Sequence, residues 1–363
     1  MEAGAQICGN HTWSFHKTDV GAQDYAWLQP LIAHAWPGQK VIFPDYERLL
    51  STPYASIPSQ RLRSVVGAAN GIAVRENCPV AALEGDRVVL DDGTTLATPC
   101  ILDGRGFVAS PGRQLGFQKF VGLEVELAEP HGETVPTIMD ASVSQRDGYR
   151  FVYVLPLSPT RLLIEDTRYS DDGTLDTERV RAEALDYAAA RGWPVAGTPR
   201  SEDGILPITL AEHADTFWRE LPAETAPIGL RAGLFHPTTG YSLPAAMATA
   251  NLLAGLDRPL TTDKARRAIE PFARKRSEQQ AYYRLLNRML FRAAAPDARY
   301  RVMQRFYRLR QPLIERFYAG TSPWYDRARI LAGKPPVPIQ KALFCVSERR
   351  ALTTEQSLAH GHE

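Results

Sequence analysis

Residues 150–167 read RFVYVLPLSPTRLLIEDT, and this stretch determines most of what the sequence predicts about the fold. Two apolar runs are separated by Ser158-Pro-Thr160, and the second run ends in the adjacent acids Glu165 and Asp166. Runs rich in β-branched and aromatic residues, joined by a short turn, are typical of paired strands. We therefore expect a β-hairpin that carries two acids near the end of its second strand.

The two acids are candidates for proton transfer. Successive residues of a strand face opposite ways, so Glu165 shares a face with Leu163, and Asp166 shares one with Ile164. A carboxylic acid on an apolar surface resists ionisation because a low dielectric disfavours its charged form. Such an acid stays protonated, and can donate its proton, near neutral pH. An edge strand that runs into solvent, where acids are common, is the alternative interpretation.

Further strands are predicted around this hairpin. The runs at 87–90 and 94–96 flank an Asp-Gly turn, and a further strand is expected within 100–106. Residues 121–127 alternate strictly between apolar and other side chains. Together with 136–143 and the hairpin, they predict an antiparallel sheet with one buried face.

Helices are predicted after this sheet. Asp176 has the position of an N-cap for a helix over 177–191, which Gly192 would end. From residue 245 onward the pattern is mostly helical. Residues 258–316 contain 16 Lys and Arg against five Asp and Glu, a net charge of +11, whereas the whole chain carries only +1. The overall charge gives no indication of nucleic-acid binding.

Composition narrows the class of protein further. Apolar residues make up 44% of the 363 residues, enough for a large core and two or three domains. The four cysteines have no CxxC spacing, so a reducing compartment is expected. We assign no metal, because no HxxxH or HxH pairing occurs among His11, His16, His34, His131, His213 and His236. The most apolar helix candidate, 245–256, is too short to cross a membrane. We expect a soluble protein or one that lies on a membrane surface.

The N-terminal residues read as the interior of a dinucleotide-binding fold. In such folds an acid at the end of the second strand binds the ribose hydroxyls, and Glu2 is the candidate for that acid. The chain contains no GxGxxG motif. We therefore expect the first strand, the glycine-rich turn and the first helix to lie upstream of residue 1.

Two glycine-containing segments are candidates for binding a cofactor. Residues 229–243 form a glycine-rich loop before the predicted helix, whose N-terminus offers free N–H groups and the positive end of the helix dipole. That arrangement suits a phosphate or the negative charge on a reduced flavin. An ordinary capped loop, with His236 as a satisfied loop histidine, is the alternative. Asp103-Gly-Arg-Gly106 is less specific, because Asp-Gly occurs in turns generally.

A series of segments occurs along the chain in the same order as in a known protein family. These segments are residues 9–16, 103–106, 139–140, 148–153, 155–167, 206–209, 229–244, 286–291, 316–320 and 333–336. In this order the chain resembles the bacterial, FAD-dependent lycopene β-cyclases over nearly its whole length. Many exact segments in one order make the resemblance specific, whereas any single segment would not.

The resemblance implies an α/β fold with a divided FAD-binding domain. That domain would be Rossmann-like, of the glutathione-reductase and hydroxylase type, and incomplete at its N-terminus. It would comprise 1–43, 67–106 and 202–257, while 44–66 and 107–201 would form an antiparallel substrate-binding sheet. Residues 258–343 would form a basic helical region in contact with a membrane, and 344–363 a disordered tail.

The activity that the resemblance implies is the closure of the ψ-ends of lycopene into β-ionone rings, which gives β-carotene through γ-carotene. There is no net redox change, but reduced FAD is required, with NAD(P)H as its electron donor. The acid of the Leu-Ile-Glu-Asp-Thr segment is essential in the family, which assigns Glu165 as the proton donor. Asp166 would orient or tune it.

The resemblance also implies where the cofactor and the substrate bind. FAD would contact Glu2, Arg61, Asp103, Gly104 and the loop 233–241, with Gly233, His236, Pro237, Thr238, Thr239, Gly240 and Tyr241 as its binding residues. Lycopene and γ-carotene dissolve in bilayers, so we expect peripheral attachment to the cytoplasmic side of a membrane. Lys and Arg of the basic region would be drawn to anionic lipid.

Two other functions are compatible with the sequence. One is another flavoprotein of the same superfamily, such as a monooxygenase acting on an isoprenoid. The other is a non-catalytic, truncated carotenoid-binding fragment that cannot hold FAD. Product mass distinguishes the first from a cyclase, because a cyclised product is isomeric with lycopene, and a flavin absorbance spectrum distinguishes the second. The number of rings formed and the oligomeric state are left open.

Overall fold

The computed structural model describes residues 1–333, 336–349 and 351–352. The strands are β1 (Thr12–His16), β2 (His34–Trp36), β3 (Gln39–Phe43), β4 (Tyr46–Leu50), β5 (Tyr54–Pro58), β6 (Val80–Glu84), β7 (Arg87–Leu90), β8 (Thr95–Ala97), β9 (Leu102–Asp103), β10 (Arg113–Leu127), β11 (Thr137–Asp140), β12 (Tyr149–Ser158), β13 (Arg161–Ser170), β14 (Val195–Glu212) and β15 (Ala226–Pro227). The α-helices are α1 (Ala22–Leu28), α2 (Ser59–Ala68), α3 (Thr177–Ala190), α4 (Ala214–Glu220), α5 (Leu243–Ala254), α6 (Thr262–Arg288), α7 (Arg299–Tyr307), α8 (Gln311–Tyr318), α9 (Trp324–Leu331) and α10 (Ile339–Phe344).

A large sheet forms the centre of the described part of the chain. Its strand order is β14-β10-β13-β12-β11-β3-β4, and its neighbours are antiparallel except for the parallel pair β11 and β3. One face packs against α3 through an aliphatic cluster that includes Leu123, Ile164 and Ala184. The other face packs against α6, α7 and α8 through a cluster rich in tyrosine and phenylalanine. Both faces of the sheet are therefore covered.

The predicted hairpin of residues 150–167 is confirmed. Strands β12 and β13 pair antiparallel, with Tyr153 opposite Glu165 and Val152 opposite Asp166. The predicted helix after it is also confirmed, because α3 begins after Asp176, whose carboxylate accepts a hydrogen bond from the backbone N–H of Arg179.

The other strands of the described residues form three smaller sheets. Strands β1, β5 and β2 form one, in which Phe15 packs with Leu28 of α1 and Met247 of α5. Strands β6, β7 and β8 form another, and β7 and β8 are the hairpin predicted around the Asp-Gly turn. The strand predicted within 100–106 is short: only Leu102 and Asp103 pair, in parallel with β15.

The large sheet extends across two of the predicted domain boundaries. Strand β3, at the end of the predicted segment 1–43, pairs with β11 of the large sheet. Strand β14 runs across position 201 without interruption and pairs with β10 on both sides of it. The division into an FAD-binding and a substrate-binding domain stays a prediction, and the sheet itself links the two.

The C-terminal region is helical, as expected. The predicted tail begins within the end of α10, and Cys345 after it is buried, with its carbonyl accepting from Arg288 Nε at 2.7 Å. Glu348 pairs with Arg284 at 2.5 Å, so this part of the predicted tail is docked rather than disordered. Residues 350 and 353–363 of the predicted tail lie outside the described residues. Among the helices that the structure describes, none combines the length and hydrophobicity needed to cross a bilayer.

Candidate active site

Glu165 lies on the tyrosine-rich face of the large sheet, where it borders a cavity. It shares this face with Leu163, as the strand alternation predicted. Its carboxylate accepts a hydrogen bond from Thr167 Oγ1 at 2.9 Å. The side chain keeps some accessible surface because it lines the cavity, but burial raises the pKa of Glu165 to about 8. The protonated acid is therefore the stable form at neutral pH.

A second acid, Glu202 of β14, lies on the same face. Gly122 of β10 is opposite both Glu165 and Glu202 in the strand register, so it separates the two acids. A Cβ atom at Gly122 would lie 2.9 Å from Glu202 Cγ and 3.4 Å from Leu163 Cδ1. The missing side chain therefore gives the acids room to approach. After burial, the charge of Glu202 contributes most to the raised pKa of Glu165, while Arg200 pairs with Glu202 at 3.1 Å.

Asp166 faces the opposite way, toward α3. Its carboxylate is completely buried and accepts hydrogen bonds from Arg150, with the shortest at 2.6 Å, and from Arg168 Nη1 at 3.0 Å. Burial raises the pKa of Asp166, and the two guanidinium groups oppose this by stabilising the carboxylate. Asp166 does not line the cavity. The two predicted catalytic acids therefore lie on opposite faces of the sheet. Asp166 does not contact the site, and its charge acts on Glu165 only through the electrostatic field.

The cavity beside Glu165 measures about 410 Å³. The large sheet forms one side, and β1, the loop before α5 and the end of α8 form the other. The ring systems along its walls belong to His11, Trp13, Phe120, Phe151, Tyr153, Tyr169, Tyr241 and Tyr318. Of the described residues that line it, Glu165 is the only carboxylic acid. The site therefore combines one acid with an enclosure that is rich in aromatic rings.

Hydrogen bonds between tyrosines fix part of this enclosure. Tyr153 Oη donates to Tyr54 Oη at 3.2 Å, and the Tyr54 and Tyr241 hydroxyls are 2.9 Å apart. Burial raises the pKa of all three tyrosines well above the usual value, so they stay neutral. Gln118 Oε1, which also borders the cavity, is buried and has no partner in the described structure. It is available to a polar ligand.

The glycine-rich loop closes the cavity at the start of α5. Gly240 has a φ of +71°, and a Cβ there would lie 3.2 Å from Leu206 Cδ1. Gly240, Tyr241 and Ser242 line the cavity and lead into the N-terminus of the 12-residue helix α5. The N–H groups of Gly240 and Tyr241 donate within the loop, to the His236 carbonyl and to Thr239 Oγ1. The N–H groups of Ser242 and Leu243 at the helix start, together with the unpartnered amide oxygen of Gln118, fit the polar edge of a flavin ring.

His236 holds this loop together. Its Nδ1 accepts hydrogen bonds from the backbone N–H groups of Thr238 at 3.2 Å and Thr239 at 3.3 Å, while Nε2 donates to the carbonyl of Phe317 at 3.1 Å. Burial lowers the pKa of His236 to about 4, so the ring is neutral. These contacts are those of a satisfied loop histidine, the alternative stated from the sequence. Thr239 lines the cavity, whereas His236 and Thr238 do not.

Gly233 and Pro237 lie beside the cavity rather than on its wall. A Cβ at Gly233 would lie 2.0 Å from Arg113 Nη2, so this glycine admits the guanidinium group. The carbonyl of Pro237 accepts a hydrogen bond from Asn287 Nδ2 at 2.8 Å. Both residues position the loop.

Asp103 and Gly104 lie at the parallel pair β9 and β15. Asp103 is buried and forms ion pairs with Arg105 at 2.9 Å and Arg231 at 3.2 Å. A Cβ at Gly104 would contact Ile228 Cγ1 at 3.5 Å. Neither residue lines the cavity. Their position at the ends of neighbouring strands is compatible with contact to a part of the cofactor remote from the flavin ring.

Glu2 and Arg61 also lie away from the cavity. The Glu2 carboxylate accepts a hydrogen bond from the backbone N–H of Gly4 at 2.9 Å. Arg61 Nε donates to the carbonyl of Pro30 at 2.8 Å. The structure therefore brings Glu165 together with Thr239, Gly240 and Tyr241, and leaves the other predicted cofactor residues outside this cavity.

The sequence reasoning missed Glu202, Gln118 and most of the aromatic wall. Gly122 was the available signal for Glu202, because a glycine within a strictly alternating strand often marks a close approach of other groups. The segments that carry Gln118 and Trp13 are far from Glu165 in the sequence. No local pattern links them to it.

The fold defines a class of protein. A solved geranylgeranyl bacteriochlorophyll reductase-like protein from Thermoplasma acidophilum aligns with a TM-score of 0.56 and 10% identity, covering 95% of this chain and 91% of that one. A probable FAD-dependent monooxygenase from Pseudomonas aeruginosa aligns with a TM-score of 0.53 and 15% identity, covering 84% and 91%. The predicted fold class is confirmed, because the chain shares the fold of these two proteins, a reductase-like protein and a probable FAD-dependent monooxygenase.

Sequence relatives identify the family within that class. The family model described as lycopene cyclase protein matches residues 1–344. The lycopene beta-cyclase of Pantoea ananas is 50% identical over 346 residues, covering 95% of this chain and 90% of the relative. The lycopene beta-cyclase of a Paracoccus species is 49% identical over 354 residues, covering 97% and 91%. This chain belongs to the lycopene cyclase family, and the resemblance seen in the sequence is confirmed.

Proposed function

We propose that this chain is a lycopene β-cyclase in which Glu165 is the general acid. The observation that carries the proposal is a carboxylic acid with a pKa of about 8 on the wall of an aromatic cavity. Protonation of an isolated double bond needs an acid that is still protonated at neutral pH and a surrounding that excludes water. Family membership supports lycopene, and γ-carotene after the first closure, as the substrates.

The first step is proton transfer from Glu165 to C2 of the terminal double bond of lycopene. The π electrons of that bond form the new C–H bond and leave a tertiary cation at C1. The C5–C6 double bond then attacks C1, which closes the ring and moves the positive charge to C5. Loss of the C6 proton forms the C5–C6 double bond of the β-ring, so no net redox change occurs.

Glu165 is also the proposed acceptor of the C6 proton. After the first step it is a carboxylate, and C2 and C6 are both bonded to C1, so they lie close together in the ring. Removal of the C6 proton by Glu165 would restore the protonated acid and complete the cycle. No other described residue of the cavity wall carries a carboxylate.

The aromatic wall would protect the cation until ring closure. The faces of Phe151, Tyr153 and Tyr169 carry partial negative charge, which attracts a cation within about 6 Å. The neutral tyrosine hydroxyls of Tyr54, Tyr153 and Tyr241 are engaged with one another, which reduces their capacity to capture the cation.

Reduced FAD is the proposed cofactor, with NAD(P)H as its electron donor. Gly240, Tyr241 and Ser242 at the start of α5, with Gln118 opposite, would hold the flavin ring, and Asp103 would contact a more distant part. When bound, the reduced flavin supplies negative charge that stabilises the developing cation electrostatically.

We further propose peripheral attachment to the cytoplasmic side of a membrane through α9 and α10. Their exposed apolar side chains are Trp324, Tyr325, Leu331, Ile339, Leu343 and Phe344, with Trp324 78% exposed. Exposed aromatic and aliphatic residues of this kind insert into the interface of a bilayer. Replacing Leu343 and Phe344 by Glu should abolish co-sedimentation with phospholipid vesicles, whereas Leu49→Glu, at an exposed position of β4, should not. Unchanged sedimentation of the double variant would contradict this surface.

Expression in a lycopene-accumulating bacterium tests the proposed activity. Chromatography of the extracted carotenoids should show β-carotene or γ-carotene, each with the mass of lycopene, because cyclisation is an isomerisation. Cells that carry the Glu165→Gln variant serve as the control and should retain lycopene. A product heavier by one oxygen would indicate a monooxygenase instead, and unchanged lycopene with the wild-type chain would contradict the cyclase.

A further inference from the structure

A second cavity, of about 440 Å³, lies among the C-terminal helices. Two of the polar side chains on its wall are engaged by backbone carbonyls. Asn287 Nδ2 donates to Thr209 and Pro237, both at 2.8 Å, and Arg305 Nη2 donates to Ala332. Most of the surface that faces the cavity is therefore hydrocarbon. Apolar side chains that bound it include Leu286, Leu290, Met303, Phe306, Leu309 and Ile330.

This cavity and the cavity beside Glu165 lie back to back. Thr238 lines the second cavity and the next residue, Thr239, lines the first. In the same way, Phe317 lines the second and Tyr318 lines the first. The partition between the cavities is thus formed by neighbouring residues of one loop and of one helix end. For one ligand to occupy both spaces, side chains of this partition would have to move aside.

The second cavity reaches the surface at an apolar patch. Ile339 and Leu343 belong to its wall, yet they are 62% and 67% exposed. Phe344 and Val346, next to them, are 67% and 57% exposed. A hydrocarbon that enters here from a lipid phase would contact mainly apolar side chains, which reduces the cost of exposing it to water.

We propose that the second cavity binds the part of the lycopene polyene that is remote from the reacting ψ-end. The inference rests on the proposed function, and it adds a second substrate-binding site to it. The conjugated chain is rigid and cannot coil within the first cavity, whose 410 Å³ lies toward the small end of ligand pockets. The chain must therefore continue beyond that cavity, and the second cavity provides an adjoining apolar space.

Substitutions that fill the second cavity test this assignment. Met303→Trp and Leu286→Phe place added bulk inside it, away from Glu165, and Leu49→Trp on exposed β4 is the matched control. Each purified, flavin-loaded variant is assayed with lycopene and with a shortened polyene that carries a single ψ-end. We expect kcat/KM for lycopene to fall at least about tenfold, equivalent to about 1.4 kcal/mol, while the shortened substrate is converted as by wild type.

A second measurement separates this inference from the activity itself. Lycopene that co-purifies with the Glu165→Gln protein is extracted and quantified, with and without Met303→Trp. Loss of bound lycopene in the double variant supports the second site, even if the wild-type chain cyclises nothing and the proposed activity fails. The inference is overturned if lycopene binding is unchanged, or if a folded variant loses both substrates equally.

Discussion

Glu165 and Asp166 are neighbours in the sequence, yet they lie in opposite environments. Glu165 faces the aromatic cavity, where its direct hydrogen-bond partner is the hydroxyl of Thr167. Asp166 faces α3, where Arg150 and Arg168 both donate to it. Burial raises the pKa of both acids. The nature of the partners therefore decides what each acid can do.

The comparison distinguishes an acid that can react from one that stabilises the fold. A carboxyl group without a cationic partner keeps its proton in a low-dielectric site and can release it to a substrate. A carboxylate held by two guanidinium groups has a fixed charge and fixed geometry. The β-strand produces both from adjacent residues, because its side chains alternate between faces.

The largest expected effect is the loss of cyclisation in Glu165→Gln. The amide keeps the size of the side chain but cannot donate an acidic proton, so we expect a decrease of about 10²–10⁴-fold in turnover. Rates of β-carotene formation measure it, with thermal unfolding to verify that the variant folds. A folded Glu165→Gln enzyme with wild-type turnover would remove Glu165 from the mechanism.

Asp166→Asn should instead lower stability. The substitution leaves Arg150 and Arg168 without the carboxylate that neutralises them, and breaking a buried ion pair typically costs about 3–5 kcal/mol. Denaturant unfolding measures this loss. Asp263→Asn is a suitable control, because the Asp263 and Arg267 side chains are 67% and 79% exposed and their pairing contributes about 1 kcal/mol or less.

Activity per folded molecule separates the two acids further. The Asp166→Asn protein that remains folded should cyclise lycopene far better than Glu165→Gln does. If Asp166→Asn unfolds like wild type but is inactive, Asp166 takes part in proton transfer and the separation drawn between the two faces is wrong.

The hairpin and the alternation of its faces were predictable because they depend on local sequence. Leu163 and Glu165 are two residues apart, so their common face follows from strand geometry alone. The pairing of Arg150 with Asp166 could also have been inferred once Tyr153 and Glu165 were placed opposite each other. Glu202 is different: Gly122 signals that some group approaches this strand closely, but the approaching residue lies on another strand, and the sequence does not identify it.

The basic C-terminal segment, residues 258–316, is a case in which the sequence pattern predicted the wrong emphasis. Its charge suggested attraction to anionic lipid, but many of its arginines pair within the protein. The pairs include Arg274 with Asp215, Arg284 with Glu348, Arg299 with Asp171 and Arg316 with Asp326. Net charge along a sequence does not reveal such partners. The exposed apolar side chains of α9 and α10 are the better basis for the proposed membrane surface.

The pH dependence tests the state of Glu165. Since the protonated acid is the reactive form, turnover should be constant at neutral pH and fall about tenfold per unit above a pKa of about 8. The free energy of unfolding should also decrease as the pH rises. Because the pKa in the folded protein exceeds the ordinary value of 4.5, wild type should lose up to a few kcal/mol relative to Glu165→Gln as the pH rises from about 4.5 to 8.

Activity and unfolding profiles of the two proteins measure these effects. A profile for wild type that is flat to pH 10 would show that Glu165 is not the titrating acid. If wild type instead loses stability relative to Glu165→Gln as the pH falls, the pKa of Glu165 is lowered in the folded protein rather than raised.

The smallest expected effect is a shift of the pH–activity profile in the Glu202→Gln variant. Removing the charge of Glu202 takes away the largest charge contribution to the raised pKa of Glu165 and leaves Arg200 to favour the carboxylate. The alkaline limb should therefore move to lower pH, by on the order of one unit. Glu126→Gln is the control, because Glu126 belongs to the same sheet but pairs with Arg161 at the surface. A limb that moves equally in both variants, or in neither, would show that the pair of acids across Gly122 does not set the pKa of Glu165.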